Sequence, residues 1–433
     1  MRFLTLSANQ AALLLPFFLS LPLHVLSLPF DGPFADLARR GDDDDDCDDG
    51  EGLGMTPILD GPTSNKAAGM GVEFESAGLR FNSAKCSIPD TNSAKGAVIG
   101  GRKGTNWELT GDVLAAGVLS AEYILDGQTI LLGTDDAVNA AKAVVNDITS
   151  WNPSAEMTDN TVDVADSPCN PWTITEPSEG KDIKDVTWAP QITVAMPLKA
   201  INYIFTQRTA SNLPLLPKIA RANQNMVTVT SEFFQASPNG ISASSVGDDV
   251  LGFFSLVLTY AKAADKMDNE SPKYLSSIMP RTDFTTMFSL VKSKVPGTLY
   301  DLVNTLACYK NNGDSVELDT EFCSGTAASP TPNGKMDKQT FYLEYNDKED
   351  SCTVKEWMES IQDSKSPDRL SEVDQVLNGQ VGGLKKKLEN LVGTTISAPL
   401  LEFRRLPSVT VSGMESMVSS AEAAVVSLQK TYK

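Results

Sequence analysis

Four glutamates at strand-like spacing, Glu73, Glu75, Glu108 and Glu122, are the residues of this chain most suggestive of chemistry. In the run Val72, Glu73, Phe74, Glu75, side chains alternate across a strand, so both acids share one face and both apolar residues the other. Two carboxylates on one face repel each other, which calls for solvent, a cationic partner or a divalent metal with hard oxygen ligands. The plain alternative is an antiparallel sheet with one wet face. The absence of histidine narrows the chemistry further. The one histidine, His24, lies in the apolar amino-terminal run, and positions 41–433 contain none. Ser-His-Asp triads, Cys-His pairs, histidine zinc sites and histidine bases are therefore excluded there, and with them any His-dependent hydrolase. Catalysis would have to rest on carboxylates, Lys, Tyr or Arg.

The elements that must position these acids follow from periodicity. Alternation predicts strands over 71–82, 105–112, 121–132, 191–198 and 400–405. Helical spacing appears over 135–151, with Val138, Ala141, Val144, Val145 and Ile148 on one face and Asp135 as N-cap. Further helices are expected over 199–207 and 246–266, after Asp283, and after Pro367 (Leu370 through Leu388 and Leu391). A last one starts at Gly413, with Met414, Met417, Val418, Ala421, Val425 and Leu428 on one face. The stretch through Cys86, Pro89 and Asp90 reads as a loop, and 95–104 as a glycine-rich hairpin that lacks the spacing of a phosphate-binding loop. The expected fold is α+β: an antiparallel, carboxylate-lined sheet packed with helices and carrying long disulfide-stapled loops. One domain is expected over 69–433, with insertions at 152–190 and 308–352.

The ends indicate export. Arg2 followed by an apolar run broken by Pro16 and Pro22, with Ser27 as a small residue, reads as a secretory signal peptide over 1–27. A propeptide over 28–40 would end at the dibasic pair Arg39 and Arg40, and an acidic, disordered leader would span 41–68. The net charge of −20 disfavours nucleic acid and anionic membrane surfaces, and no membrane span is expected. Six cysteines, Cys47, Cys86, Cys169, Cys308, Cys323 and Cys352, permit up to three disulfides. Spacing favours closure among the last three, and Cys86 with Cys169. Asn269 is the candidate glycosylation site.

Two strand motifs bracket the chain: Val72-Glu-Phe-Glu75, and Leu401 followed by Glu402, Phe403 and Arg404. Between them lie Trp107 to Asp112 and the Glu122 strand. In this order they resemble the carboxylate–amine ligase superfamily, the group around glutamine synthetase, glutamate–cysteine ligase and the amidoligases. The resemblance implies a carboxylate-lined antiparallel sheet that holds magnesium ions bridging ATP phosphates. Glu73, Glu75 and Glu122 would be metal ligands, Asp112 a supporting carboxylate, Arg404 the phosphate contact and Arg281 a second anion clamp. Where that family often carries His-x-His, this chain has Gln191 and Thr193.

Together these features suggest a secreted, extracellular effector or toxin-like protein of fungal type on a ligase-like scaffold, dependent on magnesium and ATP. Its partner would be a host or competitor protein or a small molecule. Two other expectations stand beside this one. The first is a non-enzymatic secreted binding protein; the second is a carboxylate-only glycosidase, for which no acid pair on a barrel is visible.

Overall fold

Residues that alternate apolar and polar form the frame of the molecule. The computed structural model describes residues 68–150, 161–175, 183–207, 214–216, 226–237, 240–264, 276–312, 315–344, 347–363 and 388–433. The expected signal peptide, propeptide and most of the acidic leader lie outside the described residues, as do Arg39, Arg40, Cys47 and Asn269. So does the side chain of Cys352. The strands are β1 (Met70–Asn82), β2 (Lys103–Gly104), β3 (Trp107–Ala115), β4 (Val118–Leu125), β5 (Thr161–Val162), β6 (Trp172–Thr175), β7 (Ala189–Ala195) and β8 (Ile278–Pro280). They continue as β9 (Tyr309–Asn312), β10 (Ser315–Leu318), β11 (Cys323–Thr326), β12 (Ser329–Pro332), β13 (Thr340–Glu344), β14 (Asp347–Thr353), β15 (Leu388–Asn390) and β16 (Ser397–Phe403). Among the described residues the helices are α1 (Ile88–Ser93), α2 (Asp136–Ser150), α3 (Leu198–Thr206), α4 (Asp248–Ala261), α5 (Phe284–Ser289), α6 (Leu299–Leu306), α7 (Lys335–Lys338), α8 (Val354–Asp363) and α9 (Met414–Tyr432).

A 10-stranded sheet organises the fold, with the main order β15-β16-β7-β1-β4-β3-β2. Its pairings are antiparallel, so the fold is α+β as expected. Register places Val72 beside Leu125 and Ile192, and Phe74 beside Tyr123. These residues form one fully buried face. Helix α2 lies against it: the Tyr123 hydroxyl donates to Asp147 Oδ2 at 2.6 Å, and Arg102 Nη1 donates to Asp147 Oδ1 at 2.8 Å. Helix α9 packs on α2, burying Val418, Ala421, Val425 and Leu428. The predicted apolar face of this last helix is thus the one used.

Two covalent staples join distant loops. Cys86 bonds Cys169 across 83 residues, and Cys308 bonds Cys323 across 15. Closing loops restricts the unfolded chain, which is the main stabilising effect of such links. The second staple sits in a run of three hairpins, β9–β10, β11–β12 and β13–β14. Lys262 ties that run to the end of α4, donating to Tyr309 O at 2.7 Å and to Asp319 Oδ2 at 2.8 Å. Burial lowers the Lys262 pKa, and the Asp319 carboxylate works against that shift.

Several local expectations are corrected. The stretch after Cys86 is not a loop but helix α1, because Ser87 caps it and Pro89 tolerates an opening turn. Strand β4 stops at Leu125 instead of 132, since Asp126 Oδ1 accepts from the Gln128 N–H and turns the chain. Helix α4 ends at Ala261 rather than 266, with Lys262 as its C-cap. Leu388 belongs to strand β15 rather than to a long helix, pairing with Pro399 through a turn at Gly393. Within 152–190, the described part is more than surface loop: β5 and β6 extend the sheet alongside β1. The expected helix from 367 onwards otherwise lies outside the described residues.

Helices α3 and α4 touch backbone to backbone. Every residue from 250 to 261 is buried, and a Cβ on Gly252 would stand 1.9 Å from the Leu198 carbonyl oxygen. Neither backbone has a flexible end to move aside. Gly252→Ala should destabilise the protein by about 3 kcal/mol or more. Chemical denaturation that shows a loss under about 0.5 kcal/mol, the range of neutral surface changes, would refute this account of the contact.

Candidate carboxylate site

Strand β1 presents Glu73 and Glu75 to the face opposite the apolar core, as its alternation requires. Register brings the other acids to them. Glu75 lies directly across from Glu122, and Glu122 across from Thr110. On the other side Glu73 lies across from Gln191, and Thr193 across from both Gly71 and Glu402. One face therefore collects Glu73, Glu75, Glu122 and Glu402. Asp112 joins the row through its pairing with Ser120. Glu108 shares the face one step along, and its pKa is raised by burial and by Asp126.

The alternative of a wet face does not hold, because most of this face is buried. Glu73 and Glu122 are each 7% exposed, Thr110 is fully buried, and Glu402 is 1% exposed. Burial penalises the charged form of a carboxylate, and neighbouring acids add to the penalty. The Glu73 pKa is pushed up to about 7, by burial first and by Glu402 second, with Arg281 and Arg404 pulling the other way. Glu122 is held well above the usual carboxylate range, by burial and then by Glu73.

Three cations balance the acids in part. Glu402 pairs with two arginines: its Oε1 accepts from Arg404 Nη1 at 2.7 Å, and its Oε2 lies 3.1 Å from Arg281 Nε in an ion pair that lacks hydrogen-bond geometry. Lys95 pairs with Asp112 at 2.8 Å. Burial disfavours the Lys95 charge, but Asp112, with Glu122 and Glu73 beyond it, keeps its pKa above the ordinary value. Arg281 and Arg404, 123 positions apart in sequence, meet because β8 pairs with β16, setting Met279 opposite Glu402.

Gln191 shows what this face lacks. Its Nε2 donates to Glu75 Oε2 at 3.3 Å, which fixes the orientation of the amide. Gln191 Oε1 and Glu73 Oε1 are buried acceptors with no hydrogen-bond partner. Buried acceptors of this kind are costly unless a donor or cation meets them. Hard oxygens in surplus suit a small divalent cation, and magnesium commonly takes one or two carboxylates together with water and phosphate oxygens. Among the described residues, no group of three or more His, Cys, Asp or Glu side chains stands ready to hold a metal ion. The residues thus fit a cation shared with a ligand better than a closed protein cage.

The expected site residues Glu73, Glu75, Glu122, Asp112, Arg281 and Arg404 all come together on or beside this face. Glu402, Gln191 and Lys95 belong with them and were not among the expected ligands. Glu402 had a signal, two positions before Arg404 on the same strand face. Gln191 had one too, standing where the resembled family often carries His-x-His, whereas Lys95 had none, since only loop packing brings it in.

No family model matches the chain, and no curated protein matches it. Among solved structures, the chain is similar to one described as a Vibrio cholerae toxin from the MARTX/VgrG family. The identity is 14%, the match covers 80% of this chain and 95% of that chain, and the TM-score is 0.35. A superposition this loose establishes neither a common fold nor a common activity.

The raised pKa of Glu73 has a consequence for stability. A carboxyl whose folded pKa lies above its unfolded value binds its proton more tightly in the native state. Its contribution is complete below pH 4.5 and is lost as pH rises through about 7. Stability should fall by a few kcal/mol, on the order of 3, across that window. Glu73→Gln should flatten the decline, as followed by denaturation at a series of pH values. An unchanged slope in the variant would show that Glu73 does not carry the effect.

Proposed function

We propose that the carboxylate face is a cation-dependent site for phosphoryl chemistry of the carboxylate–amine ligase type, carried by an exported effector or toxin-like protein. The observation that carries this reading is the buried row of Glu73, Glu75, Glu122 and Glu402, in which Glu73 Oε1 and Gln191 Oε1 lack donors. Acids crowded in this way lower stability, a cost that structural packing alone does not require. One or two of Glu73, Glu75 and Glu122 would hold magnesium, with water and phosphate oxygens as its other ligands. Asp112, paired with Lys95, would shape the edge of the site. Arg404 and Arg281 would meet the charge of an ATP phosphate, as guanidiniums commonly do. A bound magnesium ion would supply charge neutralisation for the transferred phosphoryl group.

The chain's own residues would do the rest. Glu402 holds the two guanidiniums beside the acids, and Thr110 donates to Glu122 Oε2 at 3.3 Å, restraining that side chain. Cation binding must displace the protons that burial favours on Glu73 and Glu122, so affinity should rise with pH. The export leader read in the sequence and the two disulfides support work outside the producing cell.

The test is calorimetric titration of the disulfide-intact protein with ATP in the presence of magnesium, beside a Glu73→Gln, Glu75→Gln double variant. Binding that requires magnesium and falls at least ~10-fold in the variant is expected, since removing charges adjacent to a cation costs more than 1.4 kcal/mol. No binding, or equal binding in both proteins, would dismiss the ligase-like reading and leave a non-enzymatic interaction protein.

A further inference from the structure

We propose that the hydroxyls of Ser329 and Thr331, on the hairpin β11–β12, are sites of O-linked glycosylation, acquired as the chain passes through a secretory pathway. This inference rests on the export half of the proposed function and on none of its carboxylate chemistry.

The hairpin alternates small hydroxyl residues with glycine and proline: Ser324, Gly325 and Thr326, then Ser329, Pro330, Thr331 and Pro332. Serine and threonine interleaved with proline is the composition of O-glycosylated segments. Proline also holds the residue before it extended, and both Ser329 and Thr331 precede one in strand β12. Register sets Ser324 opposite Thr331 and Thr326 opposite Ser329. Opposed residues of an antiparallel pair share a face, as do residues two apart in a strand. Four hydroxyls therefore occupy one face of the hairpin, and all four residues are exposed. Two of them are engaged: Ser324 Oγ donates to Thr331 O at 3.4 Å, and Thr326 Oγ1 accepts from Ser329 N at 3.2 Å. Among the described residues, the hydroxyls of Ser329 and Thr331 have no hydrogen bond.

The other described serines that precede proline give the contrast. Ser167 is buried, and its Oγ accepts from Cys169 N and Trp172 Nε1, each at 3.2 Å. Ser237 sits in left-handed backbone at φ 44°, and its Oγ donates to Ile241 O at 3.0 Å. Ser329 and Thr331 combine an extended backbone with a hydroxyl that nothing holds. In the transfer, that oxygen bonds to the anomeric carbon of a nucleotide- or lipid-phosphate sugar. The bond from this carbon to the donor phosphate breaks, the phosphate leaves with the electron pair, and the hydroxyl proton passes to a base of the transferase. The fold would lose nothing. The hairpin is anchored at its base by the Cys308–Cys323 bond and by Asn333 N donating to Phe322 O at 3.0 Å. A sugar here would also cover a two-stranded ribbon whose edges are otherwise open.

The test expresses the full chain, leader included, in a eukaryotic secretory host and collects the protein from the medium. After reduction and trypsin digestion, the peptide 311–335 carries the whole hairpin. Fragmentation that keeps sugars attached should place hexose or N-acetylhexosamine on Ser329, Thr331 or both. Ser315 and Thr320, exposed on the same peptide but not beside proline, should stay bare, as should Ser167 and Ser237. Ser329→Ala combined with Thr331→Ala should remove all sugar mass from the peptide and leave the thermal midpoint of the sugar-free protein unchanged. A bare peptide from secreted protein overturns the inference and leaves the export reading standing. Sugar that persists in the double variant, or equal modification of Ser167 or Ser237, also overturns it. Phosphate in place of sugar would assign these hydroxyls to a kinase and overturns it as well. Protein that never reaches the medium overturns both the inference and the export reading. Should the double variant not be secreted, the site mapping on the unaltered chain decides alone.

Discussion

The crowding of acids on a buried sheet face is the constraint on which the rest of this structure depends. Glu73, Glu75, Glu122 and Glu402 are held side by side by backbone pairing, and none can leave without breaking register. Their repulsion is met in three ways. Burial raises the pKa of Glu73 and Glu122, so a proton can take the place of a counter-charge. Two arginines close on Glu402, and Lys95 closes on Asp112. What remains is the pair of acceptors, Glu73 Oε1 and Gln191 Oε1, that no hydrogen bond satisfies. A fold optimised for stability alone would place apolar side chains here, as it does on the opposite face with Val72, Phe74 and Tyr123.

The opposite face shows how such an arrangement is supported. Tyr123, Leu125, Ile192 and Val194 are all fully buried there, and the Tyr123 hydroxyl is anchored by Asp147 of α2. Helix α9 packs on α2 and reaches the sheet as well, its Gln429 Nε2 donating to Ala195 O of β7 at 2.8 Å. With one face rigidly packed, the pleat fixes where the acids of the other face project. Positioning by strands rather than loops is what a site of closely spaced charges requires. The disulfides and the Lys262 anchor hold the surrounding loops and hairpins.

Much of the sheet was legible in the sequence, and the reason is local. The alternation of Val72, Glu73, Phe74 and Glu75 specifies two faces wherever the strand pairs. The same holds for Glu402 and Arg404, and the helical spacing of Val418, Ala421, Val425 and Leu428 is equally local. The misread segments depend in part on contacts that a linear pattern does not carry. Leu388 pairs with a strand instead of continuing an apolar helix, whereas the end of β4 was marked locally, by the Asp126-Gly127 turn that the strand reading ran through. The burial of the acids was likewise hidden, because period-two alternation cannot tell a wet face from a covered one. Gln191, 118 positions from Glu73 in sequence, is set directly beside it by the pairing of β1 with β7.

The central claim is that these acids seat a cation. Crystals of the protein soaked in manganese, a magnesium substitute with an anomalous signal, test it most directly. An anomalous peak between Glu73, Glu75 and Glu122, within coordination distance of at least one of their oxygens and absent from a Glu73→Gln crystal, is the expected result. An empty carboxylate face at a manganese concentration that fills other sites on the same molecule would contradict it.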